Sequence, residues 1–324
     1  MEFEHRLRQI RCDSLNSSTS QLLNLFFMVF SSKLLLFGEH TILRGSAALA
    51  LPLPLFSGKW AYSTPENAPA LQRNLAEWCQ YLAEQQSKGA LEAELDLARF
   101  GEDLTACLYF DSNIPNGYGA GSSGALCAAL YAHYALQPIG RTDEVRYPEL
   151  KRILGQMESF FHGSSSGTDP LIVYLNQPVL LQADGSIQTV DVPDWPLATT
   201  GFQFFLLDTG IQRSTAPWVN LFLERCTEAA YLQNIQQDLI PLTAQAIAAF
   251  RTGDWPGLFK KWSGISTLQQ VNFAPMIPES FQALWDEGLD SGHFALKLCG
   301  AGGGGFLLGM GKTGHLPPEA IILA

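Results

Sequence analysis

The sequence predicts an α+β protein of two domains. Its 324 residues exceed the size at which one hydrophobic core usually stops growing, and 47% of them are hydrophobic, which allows a sizeable core. Strand-like apolar runs and segments with apolar residues at helical spacing both occur along the chain. We place the domain boundary near Pro193, so that residues 28–193 form the first domain and residues 194–324 form the second.

The charge balance argues against two classes of partner. Twenty Lys and Arg residues oppose 31 Asp and Glu residues, which gives a formal net charge of −11. Because such a field repels phosphate backbones and anionic membrane surfaces, we expect neither nucleic acid nor a membrane as a partner. A small anion can still bind where a glycine loop and a helix N-terminus present backbone N–H groups.

The six cysteines are scattered without a C-x-x-C pair or the spacing of metal ligands, and most have apolar neighbours. We therefore expect reduced thiols and a cytoplasmic location.

The first 27 residues lack the features of folded structure. They are largely polar and without periodicity, and the apolar run Gln21–Phe30 is too short to span a bilayer and has no small-residue cleavage site after it. Met28 begins a strand-like segment. We expect residues 1–27 to be a disordered or non-native extension, dispensable for folding, that starts at an upstream initiation codon.

The first domain is predicted to begin with a buried strand that carries Lys33 near its start. A tight turn at Gly38 follows, then a second strand or a loop, then a further strand-like run. Helical spacing of apolar residues predicts a helix over Ala68–Gln86, and another strand leads to Pro115 and a glycine loop. From Ser122 we expect a helix with a serine cap and a small-residue face.

Helical and strand patterns continue through the rest of the chain. A helix is predicted over Tyr147–Gly163, followed by a polar turn that presents Asp169 and then by strand segments. A buried strand, a polar turn around Arg213 and another helix come next. Two long helical stretches then cover residues 231–250 and 278–289.

The stretch IPNGYGAGSSGALCAAL, residues 114–130, has glycines at alternate positions 117, 119 and 121. It lacks the lysine of the Walker A pattern, and its spacing differs from the dinucleotide fingerprint. The remaining interpretation is a glycine backbone that can approach a polyphosphate closely, ahead of a helix N-terminus that favours negative charge. Ser122 and Ser123 lie beside it, and a serine at such a place can ligate Mg²⁺. Ordinary helix-capping turns share this composition, so the loop alone leaves the question open.

A second glycine-rich stretch, Gly300 to Gly305, has strand-like apolar residues on both sides. Flexible linkers are rarely flanked in this way. We therefore expect a tight loop that packs against a ligand or another loop.

Three segments, in order, resemble the motifs of the GHMP kinase superfamily. They are KLLLFGEHTILRGSAALA, IPNGYGAGSSGALCAALY and KLCGAGGGGFLLGM. The resemblance covers about Lys33 to the C-terminus. It implies the two-domain fold of that superfamily, with an N-terminal ATP-binding domain like domain 2 of ribosomal protein S5 and a C-terminal ferredoxin-like domain.

Within the superfamily the chain most resembles the mevalonate kinases. Two further segments have counterparts there, Glu158 to Gly163 with Ser166, Gly167 and Asp169, and Thr209 with Arg213 and Thr215. This implies transfer of the γ-phosphate of ATP, with Mg²⁺, to the primary hydroxyl of mevalonate in isoprenoid precursor synthesis; it leaves a homodimer open. Ala120, Gly124 and Pro170 depart from the family's usual residues, which weakens the substrate assignment more than the fold.

The resemblance also implies residue roles. Asp169 takes the proton of the acceptor alcohol, and Lys33 neutralises charge near Asp169 and the γ-phosphate. The remaining roles are ATP phosphate binding by Gly117, Gly119, Gly121, Ser122 and Ser123, the third-motif loop with Gly300, Gly302 and Gly303, Mg²⁺ ligation by Ser123 and Glu158, and acceptor contact by Glu39, His40, Arg213 and Thr215. Taken singly, Asp169 could be an Asx-turn residue, Lys33 a solvated strand end and His40 a core histidine.

Two alternatives are kept. The first is another member of the superfamily, such as a phosphomevalonate kinase, a diphosphomevalonate decarboxylase, or a sugar or homoserine kinase. Acceptors with extra phosphate should require more basic residues near the motifs than this sequence has. The second is a catalytically silent relative that senses a ligand; such a protein is expected to have lost Lys33, Glu158 or Asp169, and all three are present.

Overall fold

Two antiparallel sheets, each with helices packed on it, organise the chain. The computed structural model describes residues 28–72, 74–196 and 198–323. The expectation for residues 1–27 therefore lies outside the described residues. The mixture of helices with two antiparallel sheets confirms the predicted two-domain α+β fold.

The first sheet is built around one long strand. Its strands are β1 (Phe30–Phe37), β2 (Ala48–Tyr62), β3 (Leu108–Ser112), β4 (Val179–Leu181) and β5 (Ile187–Thr189). They are arranged in the order β1-β2-β4-β5, with β3 paired to β2. The 15 residues of β2 are long enough to pair with three neighbours: β4 at residues 48–50, β1 between residues 49 and 58, and β3 at residues 58–62.

The second sheet has the order β7-β8-β6-β9. Its strands are β6 (Phe202–Asp208), β7 (Phe294–Leu298), β8 (Phe306–Lys312) and β9 (Ile321–Leu323). β7 is buried along its whole length, and β8 up to its last residue. The two strands run antiparallel, and the second glycine-rich stretch connects them.

Helices of the first domain cover one face of the first sheet. They are α1 (Ala68–Leu71), α2 (Leu75–Ser87), α3 (Leu97–Thr105), α4 (Ser122–Tyr134), α5 (Tyr147–His162) and α6 (Thr168–Leu175). The small-residue face predicted for α4 allows close packing on α6. Gly124 shows how close, because a Cβ at that position would lie 2.9 Å from the backbone nitrogen of Pro170.

The remaining helices contribute to the hydrophobic core of the second sheet. They are α7 (Ala216–Arg225), α8 (Ala229–Asn234), α9 (Ile240–Arg251), α10 (Trp255–Asn272) and α11 (Glu279–Ser291), with a π-helical turn over Ile235–Leu239 that joins α8 to α9. Phe37 of β1 also contributes to this core, with its ring centroid 5.6 Å from that of Trp262. The first strand of the first sheet is thus shared with the second core.

The predicted domain boundary at residues 193 and 194 stays a prediction. The last strand of the first sheet ends at Thr189 and the first strand of the second begins at Phe202. The boundary lies within that connection.

Two local predictions are wrong. Residues Thr168–Leu175 form helix α6, where strand segments were expected after the Asp169 turn. Their run LIVYL is buried on every side, and such a run has no periodicity that separates helix from strand. The serine cap of α4 is also wrong, because the N-cap is Gly121 in the left-handed region and no side chain caps the helix. After Gly38, where a second strand or a loop was expected, the chain forms a short 3₁₀ helix, Thr41–Arg44, so the strand alternative does not hold.

Across the described ranges, the helices are all too short or too polar to cross a membrane.

Candidate active site

The phosphate loop, which we define as residues 114–121, is shaped by glycine backbone that other residues rarely adopt. Gly117, Gly119 and Gly121 have φ values of 76°, 71° and 83°. The loop ends at the N-terminus of α4, and the backbone N–H of Lys33 on β1 donates to the carbonyl of Ala120 at 3.1 Å. Because the first N–H groups of α4 have no intrahelical partner, the loop and helix together present donors and a positive dipole end to an anion.

Lys33 and Asp169 form an ion pair beside this loop. Lys33 Nζ lies 2.8 Å from Asp169 Oδ1. The lysine is only 5% exposed while the aspartate is 37% exposed, so the carboxylate faces the open cleft and the ammonium lies behind it. Asp169 is held by the first turn of α6, and the Lys33 stem passes next to Gly121. The structure therefore brings together the two residues predicted to be catalytic.

Ser123 and Glu158 also meet. The Ser123 hydroxyl donates to Glu158 Oε1 at 2.8 Å, and the Ser165 hydroxyl donates to the second carboxylate oxygen. Burial raises the pKa of the Glu158 carboxyl, and the nearby charge of Asp169 adds to the increase. Hydroxyl and carboxylate oxygens are the ligands that Mg²⁺ prefers, and Mg²⁺ in kinases is held by few protein ligands together with substrate phosphates. The donors present fit that ion.

A cleft of about 530 Å³ runs along the phosphate loop to Asp169. Its lining includes polar side chains, among them Ser122 and Asn116, which are joined by a hydrogen bond of 2.6 Å. It also includes apolar residues that together we call the apolar wall, namely Leu71, Leu75, Phe110, Ile114, Pro115, Leu126 and Phe161. Polar and apolar groups in one cleft suit a ligand with a phosphate chain and an aromatic base.

Arg213 and Thr215 lie at the same cleft. The backbone N–H of Arg213 donates to the carbonyl of Gly117 at 3.2 Å, and its guanidinium donates to the Thr215 hydroxyl. Burial lowers the pKa of Arg213, partly opposed by nearby groups including Asp169. Its buried Nε has no hydrogen-bond partner among the described residues.

The turn after β1 directs its two polar side chains toward the second domain. Glu39 forms an ion pair with Lys297 of β7, and both side chains are buried. His40 has a φ of 57°, and its Nε2 lies 3.0 Å from the carbonyl oxygen of Ala301. A carbonyl can only accept, so Nε2 carries the proton when the ring is neutral. Burial lowers the pKa of His40 to about 4. Contact of Glu39 and His40 with an acceptor stays a prediction.

The loop between β7 and β8, residues 299–305, packs tightly as expected. Gly300, Gly302 and Gly303 have φ values of 85°, 77° and 77°. The N–H of Gly303 donates to the carbonyl of Met276 at 2.6 Å, and the N–H of Gly305 donates to that of Ile211 at 2.8 Å. Positive φ at successive positions explains why glycines are required in this connection.

Sequence reasoning missed three residues at the site. His162 Nε2 lies 2.9 Å from the Ser123 hydroxyl, Ser165 bonds Glu158, and Lys297 pairs with Glu39. A signal existed for His162, which is four residues after Glu158 and so on the same face of α5. For Lys297 the signal was a lone lysine in the apolar strand FALKL, which requires a buried anion as partner.

Comparisons with known proteins bear on the fold of this chain. Residues 83–177 match the family model described as the GHMP kinases N-terminal domain. Curated protein sequences include none that matches the chain.

Solved structures with the same fold cover most of the chain. The mevalonate kinase of L. major, solved in complex with R-mevalonate, is 15% identical, with a TM-score of 0.59 and coverage of 87% of this chain and 86% of that one. The phosphomevalonate kinase of Streptococcus pneumoniae, in complex with phosphomevalonate and AMPPNP, is 15% identical, with a TM-score of 0.56 and coverage of 88% and 92%. Lactococcus lactis galactokinase with galactose is 15% identical, with a TM-score of 0.60 and coverage of 92% and 89%.

Proposed function

From its place in the GHMP kinase superfamily, we propose that this chain transfers the γ-phosphate of ATP to the primary hydroxyl of mevalonate. The observation that carries the proposal is the Lys33–Asp169 ion pair beside a glycine loop on a helix N-terminus, with Asp169 and the loop glycines lining the same cleft. A carboxylate that can accept a proton thus lies close to the loop that we propose binds the polyphosphate.

The chain's own groups account for binding of the nucleotide. Backbone N–H groups of the phosphate loop and the first turn of α4 bind the phosphates, and the apolar wall contacts the base. Ser123 and Glu158 would hold Mg²⁺, which when bound neutralises the charge that develops on the transferred phosphoryl group.

Asp169 and Lys33 carry the chemical step. The acceptor hydroxyl oxygen forms a bond to the γ-phosphorus while the bond from that phosphorus to the β,γ-bridging oxygen breaks and ADP leaves. Asp169 accepts the hydroxyl proton. Lys33, 2.8 Å away, fixes the carboxylate and stabilises the negative charge nearby.

The number of unpaired basic side chains at the cleft favours a small acceptor with one negative charge. Lys33 is paired with Asp169 and Lys297 with Glu39, so that among the described residues Arg213 is the one Lys or Arg at the cleft that has no ion pair. One such group matches the single carboxylate of mevalonate better than the added phosphate of phosphomevalonate.

The alternatives stay distinguishable. A phosphomevalonate kinase and a galactokinase share the fold at similar scores, so another acceptor of the superfamily is the second candidate. A silent ligand sensor is less well supported, because Lys33 contacts Asp169 and Ser123 contacts Glu158 as catalysis requires. A homodimer and a cytoplasmic location remain predictions from the sequence.

The proposal is tested by ADP release. Purified protein with MgATP is offered mevalonate, phosphomevalonate, galactose and homoserine in turn, and we expect ADP release that depends on mevalonate. ADP release with a different acceptor of the panel would keep the kinase and reject the substrate. No release with any of the four, together with measurable ATP binding, would favour the ligand sensor.

A further inference from the structure

A lysine with no part in phosphoryl transfer is completely buried in the second sheet. Lys297 on β7 has an exposed fraction of 0%. Its Nζ pairs with the carboxylate of Glu39, donates to the carbonyl of Leu298 at 2.8 Å, and lies 5.4 Å from the centroid of the Trp262 ring. A buried ammonium persists only with such complete pairing, because its desolvation is strongly unfavourable. A fully buried, fully paired lysine of this kind is rare in proteins.

The ion pair connects the two sheets next to the active site. Glu39 lies in the turn that follows β1 of the first sheet, whereas Lys297 lies near the end of β7 of the second. The neighbour of Glu39 makes a parallel connection, since His40 Nε2 lies 3.0 Å from the carbonyl oxygen of Ala301. Two adjacent residues of one turn thus fix both ends of the segment 297–301.

The segment 297–301 includes the start of the loop of residues 299–305, which packs against the phosphate loop. Gly305 touches the backbone of Tyr118, where a Cβ on the glycine would lie 2.7 Å from the tyrosine carbonyl oxygen. Ile211 accepts from the N–H of Gly305, and two residues later Arg213 donates to Gly117. A continuous set of backbone contacts runs from the ion pair to the glycines of the nucleotide cleft.

We propose that Lys297 is a positioning residue whose ion pair with Glu39 holds the loop of residues 299–305 against the phosphate loop, and that nucleotide affinity depends on this placement. The proposal rests on the proposed function in taking the phosphate loop as the nucleotide site. A role in stability alone accounts poorly for the pair, because buried ion pairs can often be replaced by apolar residues of similar volume without loss of stability.

The variants K297M, E39Q and E39Q/K297M separate positioning from stability. Each single variant leaves one buried charge without its partner, whereas the double variant removes both charges. The control is Ile247→Ala, a truncation of a buried residue of α9 in the same hydrophobic core and outside both glycine loops. Thermal midpoints and dissociation constants for AMPPNP with Mg²⁺ are measured for each protein, the latter by calorimetry.

We expect both single variants and the control to melt at lower temperature, and the double variant to recover most of that loss. Nucleotide affinity should behave differently: K297M and the double variant should both bind AMPPNP about tenfold or more weakly, since small displacements of binding groups have large effects. The control should stay within about twofold of the wild type.

Recovery of wild-type affinity in the double variant, or equal weakening in Ile247→Ala, would overturn the proposal, since either result assigns the pair to stability alone. If K297M does not fold, the double variant decides the question by itself. A wild-type protein that fails to bind AMPPNP would instead reject the proposed function together with this inference.

Discussion

The position of Asp169 depends on two neighbours, the small residue Gly124 and the buried cation Lys33. Gly124 has no Cβ, so that α4 and the first turn of α6 approach closely, and Lys33 supplies a buried cation at 2.8 Å. The carboxylate stays partly exposed to the cleft while its partner is shielded from solvent. Substitutions of single residues at this site can therefore separate nucleotide binding from the chemical step.

For Asp169→Asn we expect kcat to fall on the order of a hundredfold or more, because the amide keeps the size but cannot accept a proton. The dissociation constant for ATP should change little, since we propose that the nucleotide binds at the phosphate loop and α4. Steady-state kinetics with mevalonate and calorimetry with AMPPNP measure the two quantities. Near-normal kcat in this variant would remove Asp169 as the base.

Ser123→Ala and Glu158→Gln should each raise the Mg²⁺ concentration needed for half-maximal rate. Each removes an oxygen ligand from a hard cation that tolerates few replacements. Ser159→Ala on α5 is the matched control, because that hydroxyl donates to the carbonyl of Gly155 within its own helix. If the titrations of both site variants coincide with that of the control, these residues do not bind the metal.

At the scale of elements, the phosphate loop and the turn after β1 illustrate how backbone conformation sets a site. Gly121 combines a φ of 83° with the N-cap position of α4, and Lys33 passes beside it. His40 adopts a left-handed conformation next to the Glu39–Lys297 pair. Both elements are constrained by φ values that ordinary side chains disfavour.

Gly121→Ala should weaken ATP binding by about tenfold or more, corresponding to the roughly 1–2 kcal/mol that a left-handed backbone costs a residue with a Cβ. The added Cβ would also lie 3.0 Å from Lys33 Cγ and displace that side chain. Gly140→Ala is the control, because a Cβ there meets nothing within 4 Å and Gly140 does not have a positive φ. Equal affinities in the two variants would show that the glycine is not required for nucleotide binding.

The buried His40 should make stability depend on pH. Burial lowers its pKa to about 4, below the value of about 6.5 in an unfolded chain. Between these values only the unfolded state binds the proton, so the free energy of unfolding falls as pH drops, by on the order of 3 kcal/mol at most. This contribution is fully present above pH 6.5 and is lost toward pH 4.

His40→Asn should reduce the slope of the free energy of unfolding against pH by the equivalent of up to about one proton. Asparagine suits this test because it tolerates the left-handed backbone. Urea unfolding at several pH values between 7 and 4 measures the slope. The exposed His315, changed to Asn, is the control. A slope that His40→Asn leaves unchanged would show that His40 is not buried in its neutral form.

For the whole molecule, the fold class and much of the site geometry followed from the sequence. Lys33 contacts Asp169 and Ser123 contacts Glu158, and both pairs were expected from the family resemblance. Composition alone could not have connected these residues. Local patterns failed where burial is complete, as in helix α6, whose apolar run has no polar face to show its period. The Glu39–Lys297 pair was missed for another reason, since the partners are 258 residues apart and no local pattern relates them.

The central claim is a phosphoryl transfer from ATP to the primary hydroxyl of mevalonate, and ³¹P NMR of the reaction mixture tests it most directly. With wild-type protein, MgATP and mevalonate, we expect ADP signals to grow together with one new phosphomonoester signal, split by the two protons of the adjacent CH₂ group. Asp169→Asn should yield neither over the same period. Binding of ATP without a new monoester from mevalonate, or a monoester formed only with another alcohol, would contradict the account.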